Sequence, residues 1–201
     1  MKKILLVALM FFMATQANAT LMSAHSFTGN FDNDESRFYI QFDVTDTATI
    51  SFLSHSYAGG VNAAGTTVAD GGFDPQLFIF DAASTLLQSD DDSSTVVSAS
   101  SGNAWDSYIS LVLNAGSYTA VLTQFNSDFL SGDLVTGEWT MSNQNNFNGR
   151  TSFYSFDISG ENLANVGGIG VGTTPTPVSE PTTLAILALG LLGFAGRRFS
   201  K

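Results

Sequence analysis

In several short runs between residues 38 and 159 apolar side chains fall at every second position, and this alternation limits the chain to one class of fold. Phe38, Ile40, Phe42 and Val44 share one face, while Tyr39, Gln41 and Asp43 take the other. A period of two is the signature of a half-buried strand. Ala48, Ile50 and Phe52 repeat it, as do Ile109, Leu111 and Leu113, and later Tyr154, Phe156 and Ile158. Leu77-Phe78-Ile79-Phe80 is a continuous apolar run, expected of a strand covered on both faces. Asn114-Ala115-Gly116 predicts a hairpin into residues 117–125, and a further strand is expected over residues 135–141. Gly, Asn, Asp and Ser punctuate the runs, and 17 Phe residues supply bulk for a core. The expectation is an all-β, antiparallel β-sandwich of jelly-roll-like type over residues 20–160.

Both ends depart from this pattern. Lys2 and Lys3 precede an apolar run over residues 4–14, and Ala17-Asn18-Ala19 supplies a small-x-small cleavage pattern before Thr20. Residues 1–19 therefore read as a signal peptide taken by the Sec machinery. A membrane-spanning helix needs about 20 apolar residues, more than this run offers. Residues 161–177, rich in Gly and then Thr-Pro, read as a flexible linker. Residues 178–201 form a tail: Val178-Ser179-Glu180-Pro181, an apolar stretch over 184–196, then Arg197-Arg198. An apolar helix with a basic tip halts in a membrane with that tip in the cytoplasm. The domain is thus expected to be flanked by an N-terminal signal helix and a C-terminal transmembrane helix.

Composition narrows function. The net charge is −11, and there is no cysteine. That excludes disulfide staples, thiolate metal sites and thiol catalysis. Between residues 20 and 179 the basic groups are Arg37 and Arg150 alone against seventeen acids, a balance of −15. Nucleic acid, which needs a basic surface, is excluded as a partner.

Strand parity then sorts the acids. If each strand carries the chain from one end of the sandwich to the other, the ends alternate loop by loop. One end receives Asp32, Asp34, Glu35, Asp70, Asp74, Asp90, Asp91, Asp92, Asp106, Asp128 and Asp133. The opposite end receives Asp43, Asp46 and Asp81. Crowded carboxylates repel unless protonated or bound to a cation. Loop oxygens are the donors Ca²⁺ takes. The expected Ca²⁺ site draws on Asp74, Asp90, Asp91, Asp92 and Asp106, completed by Asn126. The competing reading is that Asp sits in turns because its side chain mimics backbone hydrogen bonding. Asp32-x-Asp34-x-Ser36 opens like an EF-hand loop, but Arg37 replaces the required Gly.

The tail residues Glu180, Pro181, Gly190, Gly193, Gly196 and Arg197-Arg198 resemble the PEP-CTERM sorting tail of Gram-negative bacteria. That resemblance implies an exosortase-type membrane protease as partner and a transient inner-membrane anchor. It further implies delivery to the cell surface or extracellular matrix in connection with exopolysaccharide and biofilm. In the body, Phe31-Asp32-Asn33-Asp34-Glu35, Gly71-Gly72-Phe73-Asp74-Pro75, Asp90-Asp91-Asp92 and Asp106-Ser107-Tyr108 resemble exported proteins with such tails. Their body is similar to the bacterial pre-peptidase C-terminal β-sandwich, whose relatives imply matrix attachment, some with Ca²⁺.

No nucleophile elbow, P-loop or H-E-x-x-H motif occurs, and His25 and His55 lack a metal-ligand spacing. No catalytic residue and no organic cofactor are expected. The leading expectation is a secreted, non-enzymatic, Ca²⁺-stabilised surface protein. The alternatives are a carbohydrate-binding module, using Tyr57, Trp105 or Trp139 as stacking platforms, and a glycoside hydrolase with paired acids.

Overall fold

A computed structural model describes residues 22–134 and 136–169. The signal segment with Ala17, Ala19 and Thr20, the transmembrane stretch over 184–196 and the sorting residues lie outside the described residues. Among the described residues no helix is long and apolar enough to cross a membrane.

The domain is all-β and antiparallel, and its long strands form two sheets. One holds β1 (Ser23–Asn30), β12 (Phe153–Gly160), β3 (Ala48–Ser54) and β8 (Tyr108–Leu113), in that order. The other holds β13 (Leu163–Ile169), β2 (Phe38–Val44), β9 (Gly116–Gln124), β6 (Pro75–Asp81) and β7 (Leu86–Asp90). Two small ladders pair β4 (Gly60–Val61) with β5 (Thr67–Val68), and β10 (Phe129–Ser131) with β11 (Glu138–Trp139).

The alternation decides which side chains meet. Phe38, Ile40, Phe42 and Val44 of β2 face Ile50 and Phe52 of β3 and Phe156 and Ile158 of β12 in one buried cluster. Rings touch across the two sheets: Phe27 to Phe38 at 5.6 Å, Phe38 to Tyr154 at 5.0 Å and Phe42 to Phe52 at 5.6 Å between centroids. Burying each such side chain is worth about 1.5–3 kcal/mol, so this shared layer holds the sheets face to face in a sandwich-like packing.

β6 behaves as its continuous apolar run requires. Leu77 and Ile79 enter the shared core, while Phe78 and Phe80 join a second cluster with Val121 and Leu134. Phe129 and Trp139 pack against that second cluster from outside. Residues 125–134 and 136–141 thus cover the outer face of the five-stranded sheet. The strand expected over 135–141 shortens to β11, because this segment's aromatic residues are used to cap Phe78 and Phe80.

Three further expectations change. Asn114-Ala115-Gly116 is not a hairpin: β8 pairs with β3, and β9 pairs with β2 and β6. The same turn residues serve to cross between sheets as to reverse within one. The linker expected over 161–177 gives up residues 163–169, which form β13 against β2. Leu163 and Val166 pack on the core, and a Cβ at Gly168 would stand 2.5 Å from the Phe38 ring. Glycine there permits close packing rather than flexibility. Finally, Asp133 lies with Asp43 and Asp81 around a cavity of about 430 Å³. The covering segment carries it down the sheet, away from the end to which parity assigned it.

Candidate metal centre

At the loop end the strand termini are fixed by register. Pro75 opens β6 opposite Gln124, the last residue of β9, and Asp90 closes β7 opposite Leu77. Asp74 therefore stands immediately before β6, and Asp91 and Asp92 immediately after β7. The main-chain carbonyl of Asp74 accepts from Phe125 N at 2.9 Å, which extends the β6–β9 pairing by one step. Ser107 Oγ shares its one proton between the Pro75 carbonyl at 2.7 Å and the Asp91 carbonyl at 2.8 Å, tying the two strand ends together.

Carboxylate oxygens of Asp74, Asp91 and Asp92 all lie within 4.8 Å of one another. Asp74 and Asp91 are half-buried and Asp92 is exposed. One oxygen each of Asp74 and Asp91 is buried without a hydrogen-bond partner. Burial, then the negative charges of Asp91, Asp92 and Asp106, push the Asp74 carboxyl up to about 8, with Arg150 opposing. Burial, then Asp92, Asp90 and Asp128, push Asp91 up to about 6. Asp92 rises for the same reasons, burial first and Asp90 second. Three acids held this way raise each other's cost of ionisation, a cost that a bound cation removes.

The remaining expected ligands do other work. Asp106 is fully buried and accepts from Ser54 Oγ at 2.7 Å, Tyr57 N at 3.0 Å and Ala58 N at 2.8 Å. Asp90 accepts from Ser93 N at 3.1 Å, from Tyr108 N at 2.8 Å and from Ser93 Oγ. Asn126 adopts φ 69° in the turn after β9, where its main-chain carbonyl accepts from Thr140 Oγ1. Asp34 accepts from the amides of Asn146 and Phe147, Glu35 from Ser142 N, and Asp70 from Ser100 N. For these acids the turn-building reading of Asp holds, since a carboxylate fastens loop amides that would otherwise lack acceptors.

Asp34 supports an unusual wall. Asn146, Phe147, Asn148 and Gly149 have φ of 51°, 53°, 53° and 78°, four successive residues in the left-handed region. Such a run is costly for residues with a Cβ and persists only when its surroundings fix it. Here the Asp34 carboxylate binds two of its amides, and Phe147 is buried against Phe73 with ring centroids 5.6 Å apart.

Beside the three acids lies a cavity of about 380 Å³, bordered by Asp74, Asp92, Gln124, Trp105, Tyr57 and Arg150 among others. Arg150 donates through Nε to Gly72 O at 2.6 Å, and through one Nη to Tyr57 O at 2.7 Å and Asp70 at 3.1 Å. Its guanidinium sits 3.7 Å from the Tyr57 ring centroid. Gly72 is required there, because a Cβ would lie 2.2 Å from Ser56 O. Gln124 went unrecognised in the sequence. It is 1 % exposed, and its Oε1 has no partner. The signal was present, since Gln124 shares the parity of Ala120 and Leu122 and so places an amide on the inward face.

The two histidines stand apart from this centre. His25 lies on β1, its imidazole lowered by burial. His55 Nε2 contacts Asp157 at 3.0 Å, and Ser26 Oγ donates to the same carboxylate at 2.5 Å. Trp139 belongs to the outer cluster, with Arg37 4.6 Å above its ring.

Residues 177–198 match the PEP-CTERM protein-sorting motif. The chain carries an exosortase sorting signal. Such a motif marks an exported, membrane-transiting protein processed by exosortase, a membrane protease. The match takes in Val178, Ser179, Glu180, Pro181, Arg197 and Arg198. No curated protein matches the chain.

Proposed function

We propose that this exosortase-sorted chain delivers a non-enzymatic jelly-roll sandwich to the cell surface or extracellular matrix, where its loop end binds Ca²⁺. Its role there is structural or adhesive, in association with exopolysaccharide. The strand orders β1-β12-β3-β8 and β2-β9-β6-β7, with β13 added at one edge, support the jelly-roll reading. The observation that carries the metal is the convergence of Asp74, Asp91 and Asp92 within 4.8 Å, with buried oxygens on two of them lacking donors. An all-oxygen donor set on loops suits Ca²⁺ better than zinc, which favours His and Cys ligands. Ser26 and His55 both donate to Asp157, so the imidazole does not sit between hydroxyl and carboxylate as nucleophile activation requires. This favours a binding role over catalysis.

Thermal melts with Ca²⁺ and with chelator test the reading. Extracellular Ca²⁺ modules bind at roughly 10⁻⁴–10⁻³ M, so millimolar Ca²⁺ raises the melting temperature of the protein. Identical melts in Ca²⁺ and chelator would sink the metal assignment.

A further inference from the structure

We propose that the cavity beside the acidic cluster is a binding site for a neutral saccharide, which lays its ring on Trp105 and turns hydroxyls toward Gln124 and Asp74. The assignment to the cavity stands on its own lining. Two of those hydroxyls complete the coordination of a bound Ca²⁺, and this part alone rests on the metal reading above.

The volume, about 380 Å³, falls within the range of small-molecule pockets. Its wall is divided: Trp105, Tyr57 and Phe147 present apolar faces, while Asp74, Asp92 and Gln124 present oxygens. A sugar ring has the matching division, an apolar C–H face and a rim of hydroxyls. Trp105 differs from the core aromatics because it is half-buried and borders the cavity. It is also held in place, tilted 45° against Tyr57 at 5.0 Å between centroids. Tyr57 in turn is fixed by the Arg150 guanidinium on its ring and by its hydroxyl bond to Ser101 at 2.9 Å. An aromatic face fixed in advance loses little side-chain entropy on binding.

The polar side of the wall is short of donors. Gln124, 1 % exposed, leaves Oε1 unsatisfied, and a buried Asp74 oxygen is unsatisfied beside it. Buried acceptors of this kind cost free energy until a donor arrives. Hydroxyls are donors that also serve as Ca²⁺ ligands. Asp74, Asp91, Asp92 and the Gln124 amide offer fewer oxygens than the six to eight that Ca²⁺ takes, if each gives one. Two of the three acids, Asp74 and Asp92, border the cavity, so hydroxyls seated in it would be within reach of an ion held there. Without the metal, charge selects against anionic sugars: the acids repel them, and the adjoining cation, Arg150, commits its Nε and one Nη to Gly72, Tyr57 and Asp70.

Calorimetric titration of the full-length protein tests this. Ca²⁺ is titrated first, then the methyl glycosides of glucose, mannose and galactose; a second series in chelator sets the same glycosides beside methyl glucuronide as the anionic comparison. Saturable heat with at least one neutral glycoside, exceeding that with the glucuronide, is expected, together with a shift in tryptophan emission that Trp139→Phe preserves. Trp105→Leu abolishes glycoside heat while Ca²⁺ heat remains. Trp105→Phe, which keeps a ring against Tyr57, weakens the response without threatening the fold. Ca²⁺ binding with no response to any neutral glycoside overturns the saccharide site and leaves the metal reading standing. Glycoside binding with no Ca²⁺ heat overturns the metal reading and leaves the cavity assignment. A glycoside response unchanged in both Trp105 variants overturns the placement on Trp105.

Discussion

Asp106 and Asp74 are both carboxylates at strand ends, yet their surroundings give them opposite roles. Asp106 satisfies two backbone amides and a hydroxyl and has no exposure to solvent. Removing it strands Tyr57 N and Ala58 N in the interior. Each orphaned buried donor costs about 1–3 kcal/mol, so Asp106→Ala should destabilise the fold by about 2–5 kcal/mol. Urea unfolding measures this, and a loss under about 1 kcal/mol would show that water replaces the carboxylate. Asp74 has a buried oxygen with no donor and two acidic neighbours within ligand distance. In sequence both are single Asp residues beside a strand, and only the direction of the neighbouring amides separates strut from candidate ligand.

At the scale of elements, the loop after β3 is tied to β12 through His55. The Asp157 carboxylate accepts from His55 Nε2, from Ala63 N at 2.7 Å and from Ser26 Oγ. Burial works against charge on the imidazole, but the hydrogen bond and charge of Asp157, the charge of Asp106 and the Gly59 carbonyl outweigh it. The His55 pKa is raised above 6.5. A raised histidine contributes stability that is fully present below pH 6.5 and lost as pH rises through its folded value. With Ca²⁺ saturating, wild-type stability should therefore fall across that window relative to His55→Gln. Urea midpoints for both proteins over the pH series give the difference, and parallel curves would falsify the ion pair. β13 illustrates the other limit at this scale. Leu-Ala-Asn-Val-Gly-Gly-Ile reads as tether by composition, and it becomes a strand because β2 offers an open edge and Phe38 leaves room only for Gly168.

For the whole molecule, the decisive quantity is charge gathered at one end of an acidic domain. Most of those acids are held as hydrogen-bond acceptors to loops, and those with buried, donor-less oxygens concentrate on the cluster of Asp74, Asp91 and Asp92. Their folded values are raised, Asp91 to about 6 and Asp74 to about 8, against 3.8 unfolded. The metal-free fold should thus be most stable below pH 3.8 as far as these groups go, and lose that contribution as pH rises through about 6 and about 8. Bound as proposed, Ca²⁺ would replace the protons and remove the loss, so the gap between melting temperatures in Ca²⁺ and in chelator should widen over the same window. A gap that stays constant with pH would separate any Ca²⁺ effect from this cluster.

The alternation of apolar residues by itself determined the all-β class and the core faces of β2, β3, β8 and β12, because side-chain period and burial are local properties of a strand. The tail motif was equally legible, since a sorting machinery reads a short linear segment. Parity also brought Asp74, Asp91 and Asp92 to one end. Whether Asn114-Ala115-Gly116 reverses within a sheet or crosses between two depended on which strand edges were open, a long-range matter. The same holds for Asp133, carried away by the aromatic cover over Phe78 and Phe80, and for β13. The separation of candidate ligands from struts, and the meeting of Gln124 with Trp105 at one cavity, were decided only when loops distant in sequence packed together and their amides chose acceptors.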